Sequence, residues 1–226
     1  MRIKRRRRNF FPLIITLLVV LGVFSIVYYT MKTSLKNSPV YSADKVLYIM
    51  RNNDNYAFLL VDSTLESVKV LYSVKDLYDP ETGKYLRGDP IDDYAFFKDV
   101  FKVDTPQWRY VDLSNGELAK FSKALTGREA KSLGDLIRSL KRRSGIFDVF
   151  IVGKVVKSLS GKSNLDNSAL LKLLDSLRKY DLDERTIKGI TKKPVLIEIE
   201  GEGNQKRLYI DTREKDGIKE FLGVKE

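Results

Sequence analysis

The sequence predicts an α/β fold, a mixed sheet with helices on both faces, preceded by a single N-terminal transmembrane helix. Three observations predict it. Residues 9–31 form a charge-free and mostly apolar run, long enough as a helix to cross a bilayer. Three apolar runs of strand length follow in close succession. Beyond them, apolar stripes at helical spacing are interleaved with further strand-like segments, the order expected of α/β or α+β architecture.

The composition narrows the chemistry. The 226 residues include 41 Lys or Arg against 30 Asp or Glu, a formal charge of +11, and neither Cys nor His. Without those two residue types there is no disulfide framework, thiolate nucleophile, Cys/His zinc site or Ser-His-Asp triad. Any chemistry must run on carboxylates, Lys, Arg, Tyr, Ser/Thr or oxygen-bound metal. With 11% aromatic and 31% charged residues, the chain is globular rather than disordered.

Six of the eleven net charges belong to Arg2, Lys4, Arg5, Arg6, Arg7 and Arg8. The run from Asn9 to Met31 behind them would reach roughly 35 Å as a helix. Pro12 stands in the first turn, where its missing N–H does little harm, and Tyr28 and Tyr29 lie near the far end, where interfacial aromatics are favoured. A cleaved signal peptide is the rival reading, but its apolar core is typically about 7–15 residues, and Ala43 with Tyr41 upstream makes a poor cleavage site. Six cations before the span and Lys32 and Lys36 after it place the N-terminus in the cytoplasm. The expected organisation is a basic cytoplasmic tail at 1–8, a transmembrane helix at 9–31, a polar linker at 32–44 and an extracytoplasmic domain at 45–226. The lipid bilayer is then the expected partner; a nucleic-acid patch is the lesser reading of a basic run beside a span.

Within the outer domain, Lys45–Met50, Tyr56–Val61 and Val68–Val74 read as three strands bounded by polar turns. The second is a near-continuous apolar run, as expected of a strand covered on both faces, and the short 63–67 connection favours an antiparallel beginning. Residues 79–93, with Asp-Pro twice, Gly83 and Gly88, read as a long loop. Tyr94, Phe97 and Phe101 then sit at helical spacing, Gln107–Leu113 reads as a strand, and Ser114 with Glu117 is a capping-box pattern for a helix ended by Gly127. Leu133, Leu136, Ile137 and Leu140 form an apolar stripe. Ile146–Leu159 is so apolar that burial is expected, as helix or as strand plus helix, and a further stripe runs from Leu170 to Tyr180. Pro194–Glu200 and Arg207–Asp211 read as strands across a turn at 201–205, and a short helix closes the domain.

A strand after an anchor, NNDNYAFLLVD, the hairpin to VLYSVKD and then YVDLSNGELAKFSKALTG together resemble a reduced LytR-CpsA-Psr domain. The resemblance implies a single-span, N-in envelope protein that moves glycopolymers from a polyprenyl pyrophosphate carrier to peptidoglycan, with Mg²⁺ and a cluster of arginines. The family's Arg-Ser-Asp-Thr falls on Asn52, Asn53, Asp54 and Asn55, with Asp62 at the strand's end, and its Pro-Arg-Asp falls on Val74, Lys75 and Asp76. A later segment, an Asp followed by spaced arginines and glutamines, falls on Asp148, Ile151, Lys154, Val155 and Val156, so only the Asp and one cation are kept.

These matches imply Asp76 and Lys75 as catalytic candidates and Asp54 with Asp76 as magnesium ligands. Arg51, Arg87 and Lys154 are the substrate-binding candidates, Arg51 standing one place off the family register. Each has a plainer reading as a turn residue or a solvated charge. Lys141, Arg142 and Arg143 are a helix-end charge run that also suits an anionic polymer or lipid headgroup. Phe96, Phe97, Phe101 and the Phe147–Phe150 cluster suit either a core or a channel for an isoprenoid tail, the core being the commoner use of such spacing. With the Arg fork replaced by Lys, two readings stay open: a glycopolymer phosphotransferase with a weakened site, and a non-catalytic envelope scaffold or lipid- or glycan-binding module assembled with a protein partner.

Overall fold

The computed structural model describes residues 11–159, 161–188, 195–199 and 203–224. Helix α1 (Phe11–Lys36) is one apolar rod with no buried residue, and it is long and apolar enough to cross a membrane. It is followed directly by one turn of helix, α2 (Pro39–Ser42). The segment expected as a loose polar linker is therefore mostly helical. Lys36 pairs with Asp175 at 3.8 Å, Val40 is buried and the Tyr41 hydroxyl donates to Asp175 at 2.6 Å, so the end of α1 and α2 are seated on the domain.

The domain is built on β1 (Lys45–Asn52), β2 (Asn55–Asp62) and β3 (Ser67–Val74), an antiparallel meander as the sequence predicts. Beyond it the chain runs through β4 (Leu77–Asp79), β5 (Lys84–Tyr85), α3 (Pro90–Phe101), β6 (Trp108–Leu113), α4 (Asn115–Thr126), α5 (Leu133–Lys141), α6 (Asp148–Ser158), α7 (Asn167–Lys179), β7 (Asp181–Thr186), β8 (Val195–Ile199), β9 (Gly203–Tyr209) and α8 (Thr212–Leu222). The main sheet has the order β6-β1-β2-β3-β7, with both edge strands parallel to their neighbours. A second sheet has the order β5-β4-β9-β8.

The alternation of side chains along β1 and β2 separates two cores. Val46, Tyr48 and Met50, with Ala57, Leu59 and Val61, face α4, α5, α6 and α7. Leu47 and Ile49, with Tyr56, Phe58 and Leu60, face α3 and α8. Phe96, Phe97 and Phe101 are fully buried there, and the Phe97 and Phe58 rings stack at 5.0 Å. These aromatics fill the core and line no channel.

Three features depart from the sequence reading. Residues 79–93 contain the end of β4, all of β5 and the start of α3; strands this short carry no periodicity of their own. β7 has the hydrophilic sequence DLDERT, which an edge strand exposed along most of its length tolerates because the parallel ladder to β3 supplies its backbone partners. Ile146 and Phe147 are not buried but 65% and 57% exposed, while Val149, Val152 and Val155 behind them enter the core. Pro194, Glu200 and the 201–202 part of the last predicted turn lie outside the described residues, while β8 and β9 pair antiparallel as expected.

Lys215 on α8 is paired with the end of β4 and the turn that follows it. Its ammonium lies 3.1 Å from Asp79 Oδ1 and also contacts Glu81, and Lys215 and Asp79 are both almost fully buried. Removing one partner of a buried pair leaves the other charge uncompensated. Lys215→Ala is therefore expected to cost about 3–5 kcal/mol in urea unfolding, whereas Lys219→Ala, whose partner Asp216 is exposed, is expected to cost less than about 1 kcal/mol.

Candidate functional site

The charged residues gather where the parallel strands β1 and β6 end. Arg51 and Asp112 are register partners across that pair, on the α3 face by strand parity, one step past the last apolar residues. In open α/β sheets the carboxyl ends of parallel strands are the usual ligand crevice. Two adjoining cavities lie here. One, of about 230 Å³, is lined by residues including Ile49, Pro90, Asp93 and Tyr110. The other, of about 350 Å³, is lined by residues including Asn53, Asp54, Lys75 and Glu117. Arg51, Asp112 and Lys162 line both and form the wall between them.

That wall is electrostatically closed on itself. Arg51 Nε donates to Asp112 Oδ1 at 2.9 Å, Nη2 pairs with Oδ2, and Nη1 donates to the Gly88 carbonyl. The carboxylate holds the Arg51 pKa above its ordinary value. Gly88 has a φ of +90°, and a Cβ there would overlap Arg51 Nη1, so the guanidinium seats only against glycine. Lys162, from the α6–α7 connection, meets Glu117 Oε1 at 2.6 Å. Glu117 also accepts from the Ser114 N–H at 2.9 Å and its hydroxyl at 2.7 Å in the capping box. Lys162 first, then Ser114, lower the Glu117 pKa to about 2. The N-terminus of α4, otherwise a place for a bound anion, is thus occupied by the chain's own carboxylate.

Of the predicted site residues, the structure brings Arg51, Asp54 and Lys75 to one cavity. Asp54 and Lys75 meet because the β1–β2 turn receives the Lys75 N–H on the Asp54 carbonyl at 2.8 Å. Lys75 is the cation on this cavity that makes no ion pair among the described residues. Asp76 points elsewhere: it is left-handed, with φ of +63°, and its carboxylate faces Arg207 at 3.6 Å. Arg87 lies over the Tyr85 ring and 3.7 Å from Asp92, lining a different cavity with Lys84. Lys154 is exposed on α6, and Asp148 is buried between Arg143 at 2.6 Å and Arg178 at 3.3 Å; neither lines the two site cavities. Among the described residues no three acidic side chains converge as a metal cluster.

Sequence reasoning missed Asp112, Lys162 and Asp93. The parity of β6 puts Asp112 on the face of Trp108 and Tyr110, but its partner depends on a parallel pairing across some sixty residues. Asp93 is 3% exposed on α3. It accepts the Arg87 and Gly88 N–H groups at 3.1 and 3.2 Å, beside the buried Tyr56 hydroxyl. Burial raises its pKa to about 6, against the lowering effect of those donors and of Arg51.

No family model matches the sequence, and no curated protein matches it. Solved structures do. The chain is similar to Lmo1026 from Listeria monocytogenes, named as a candidate transcriptional factor, at 13% identity and a TM-score of 0.52, over 84% of this chain and 98% of that one. TagT from B. subtilis aligns at 11% identity and a TM-score of 0.46, over 83% of this chain and 92% of that one. TagT is described as a LytR-CPS2A-psr family protein and has been seen with bound octaprenyl pyrophosphate lipid and with LIIa-WTA. The structural neighbours thus include the family that the sequence resembles, and the likeness to Lmo1026 establishes a shared fold.

Asp93 sets a pH dependence. Its folded pKa lies above the ordinary carboxylate value, so the fold favours the protonated form; that stability is fully present below the unfolded pKa and is lost as pH rises through the folded value of about 6. The stability of Asp93→Asn relative to wild type is therefore expected to rise by about 2–3 kcal/mol between pH 4 and pH 7 in chemical denaturation. A flat difference would remove the buried-carboxyl assignment.

Proposed function

We propose that the chain is a membrane-anchored envelope protein whose outer domain holds the phosphate-bearing head of a polyprenyl-linked glycopolymer on the Lys75 cavity, acting as a binding module rather than a transferase. One observation carries this: two of the cavity's three cations, Arg51 and Lys162, are neutralised by Asp112 and Glu117, leaving Lys75. Phosphoryl transfer needs several converging charges on the attacked and leaving groups; holding an anionic head needs fewer. The shared fold, the resemblance of the strand and hairpin segments, and the charge asymmetry about α1 all support the envelope reading. Peptidoglycan is the acceptor that the resemblance implies, and a protein partner that supplies further cations belongs to the same reading.

Asp54 and Asp76 do not suit a magnesium ion together, since one faces the Lys75 cavity and the other Arg207. Asp54 would hold such an ion as a single carboxylate, with water and ligand oxygens completing the shell, and its contribution would be charge neutralisation on a bound pyrophosphate. A second reading, transfer, is favoured by Asp93: a buried carboxyl with a pKa near 6 beside Arg51 is matched to taking a proton from an acceptor hydroxyl.

The full chain in detergent, titrated with a short polyprenyl pyrophosphate with and without Mg²⁺, tests the binding reading. Lys75→Ala is expected to weaken binding about 10–100-fold, the loss of one charge-assisted contact. Asp112→Ala, which releases Arg51, is expected to tighten it by at least about 10-fold, and Asp76→Ala to leave it unchanged. Wild-type affinity in Lys75→Ala would sink the assignment, and turnover of lipid-linked substrate abolished by Asp93→Asn would establish the transferase instead. For topology, protease added to intact bacterial spheroplasts is expected to digest the domain beyond α1; protection until lysis would overturn the orientation.

A further inference from the structure

Helices α1 and α6 do not close on each other along their whole contact. Phe150 packs on α1, its ring 5.4 Å from Phe24 and 6.0 Å from Tyr28. It also lines a cavity of about 450 Å³ enclosed by residues 30–35 of α1, by α6 and by the start of α7. We propose that this cavity binds a bilayer phospholipid, with the ester end of one acyl chain inside it and the headgroup phosphate level with Lys32. This rests on the reading of α1 as the membrane anchor.

The place of the cavity along α1 points to a lipid. Its α1 wall is Thr30, Met31, Ser34 and Leu35; the charge-free run ends at Met31, and Lys32 is the first charge after it. A hydrocarbon layer takes about 20 residues of helix, which the run at 9–31 fills. The cavity therefore straddles the level at which acyl chains end and esters and phosphates begin.

The lining has the matching chemistry. Met31 and Leu35 with Val149, Phe150 and Val152 of α6 form an apolar wall. Water finds no polar partner on such a wall, whereas an alkyl chain makes dispersion contacts along all of it. The Thr30 hydroxyl donates to the Ile26 carbonyl within α1. Ser34 and Asn167, the other polar lining residues, have the donors that an ester carbonyl accepts from.

Gly153 leaves the space open. Glycine is disfavoured inside a helix, and here no close approach requires it: a Cβ would stand 3.6 Å from the Asn167 amide nitrogen, an ordinary contact. What the missing side chain provides is room on the cavity wall. The charges agree. Among the described residues no acidic side chain lines the cavity, and Asp148 and Asp175 are each held by cations of the chain itself. Lys32 follows Met31, its ammonium 3.4 Å from the Tyr28 hydroxyl, and the exposed Lys154 follows Gly153. Cations at this level attract lipid phosphate.

Photocrosslinking tests the proposal on the full chain, in vesicles of phosphatidylcholine and phosphatidylglycerol. They carry a phosphatidylcholine with a diazirine near the ester end of one acyl chain. Fragment mapping is expected to find label on residues 149–153 as well as on α1. Gly153→Leu fills the cavity from α6, and Ser34→Phe fills it from the exposed side of α1 without entering the domain's core. Each is expected to lose the α6 label and keep the α1 label, while Gly153→Ala keeps both. An unlabelled α6 beside a labelled α1, or α6 label unchanged in both filled variants, overturns the site and leaves the anchor standing. An unlabelled α1 overturns the anchor and the site together. Displacement of the α6 label by a short polyprenyl pyrophosphate, with the α1 label kept, overturns the phospholipid and gives the cavity to the carrier's tail.

Discussion

The central strand β2 is buried from Tyr56 to Asp62, with one set of side chains in the four-helix core and the other in the α3–α8 core. A strand covered on both faces has no place for a charge along its length. On β1 the charged side chains, Lys45 and Arg51, stand near the strand ends, and Arg51 and its register partner Asp112 on β6 lie beyond the apolar residues of their face. The position of the candidate site is thus a consequence of how the core is filled.

Having placed cations and carboxylates at one end of the sheet, the fold pairs them. The guanidinium of Arg51 meets Asp112 through two parallel contacts, the geometry that makes such pairs strong, and Gly88 completes the seat. Lys162 and the α4 N-terminus converge on Glu117. A site arranged to grip a pyrophosphate would leave these donors facing the cavity. Here they are paired with carboxylates, and Lys75 is the cation on that cavity that makes no ion pair among the described residues. Asp93 is the counterexample: a carboxyl met by two backbone N–H groups and the Tyr56 hydroxyl, whose burial still dominates its titration.

The other end of the molecule is organised by α1. Helix α1 ends at Lys36, the extended N-cap Ser38 opens the turn of α2, and α1 packs on α6 and α7. Lys36–Asp175, Tyr41–Asp175 and the Phe150 contact fix the domain to α1 and α2.

What was legible in the sequence is what local physics dictates. The charge-free run at 9–31, the apolar strands at 46–49, 56–61 and 68–74, the capping box at Ser114 and Glu117, and the stripes of α5 and α7 each announce themselves within a dozen residues. The hydrophilic β7, the short β4 and β5 and the identity of the Arg51 partner do not, because each exists only through backbone or side-chain pairing with a distant segment. Asp54 and Lys75 are candidates through the family resemblance and Arg51 stands one place off its register, and all three line one cavity; Asp76 and Lys154, matched through the same resemblance, and Arg87, taken from the long loop, are turned to Arg207, solvent and Asp92. The sequence by itself determined the apolar pattern and the residue types available for chemistry. Tertiary structure alone decided which charges neutralise one another, since an ion pair depends on separations of a few ångströms between residues that the chain holds sixty places apart.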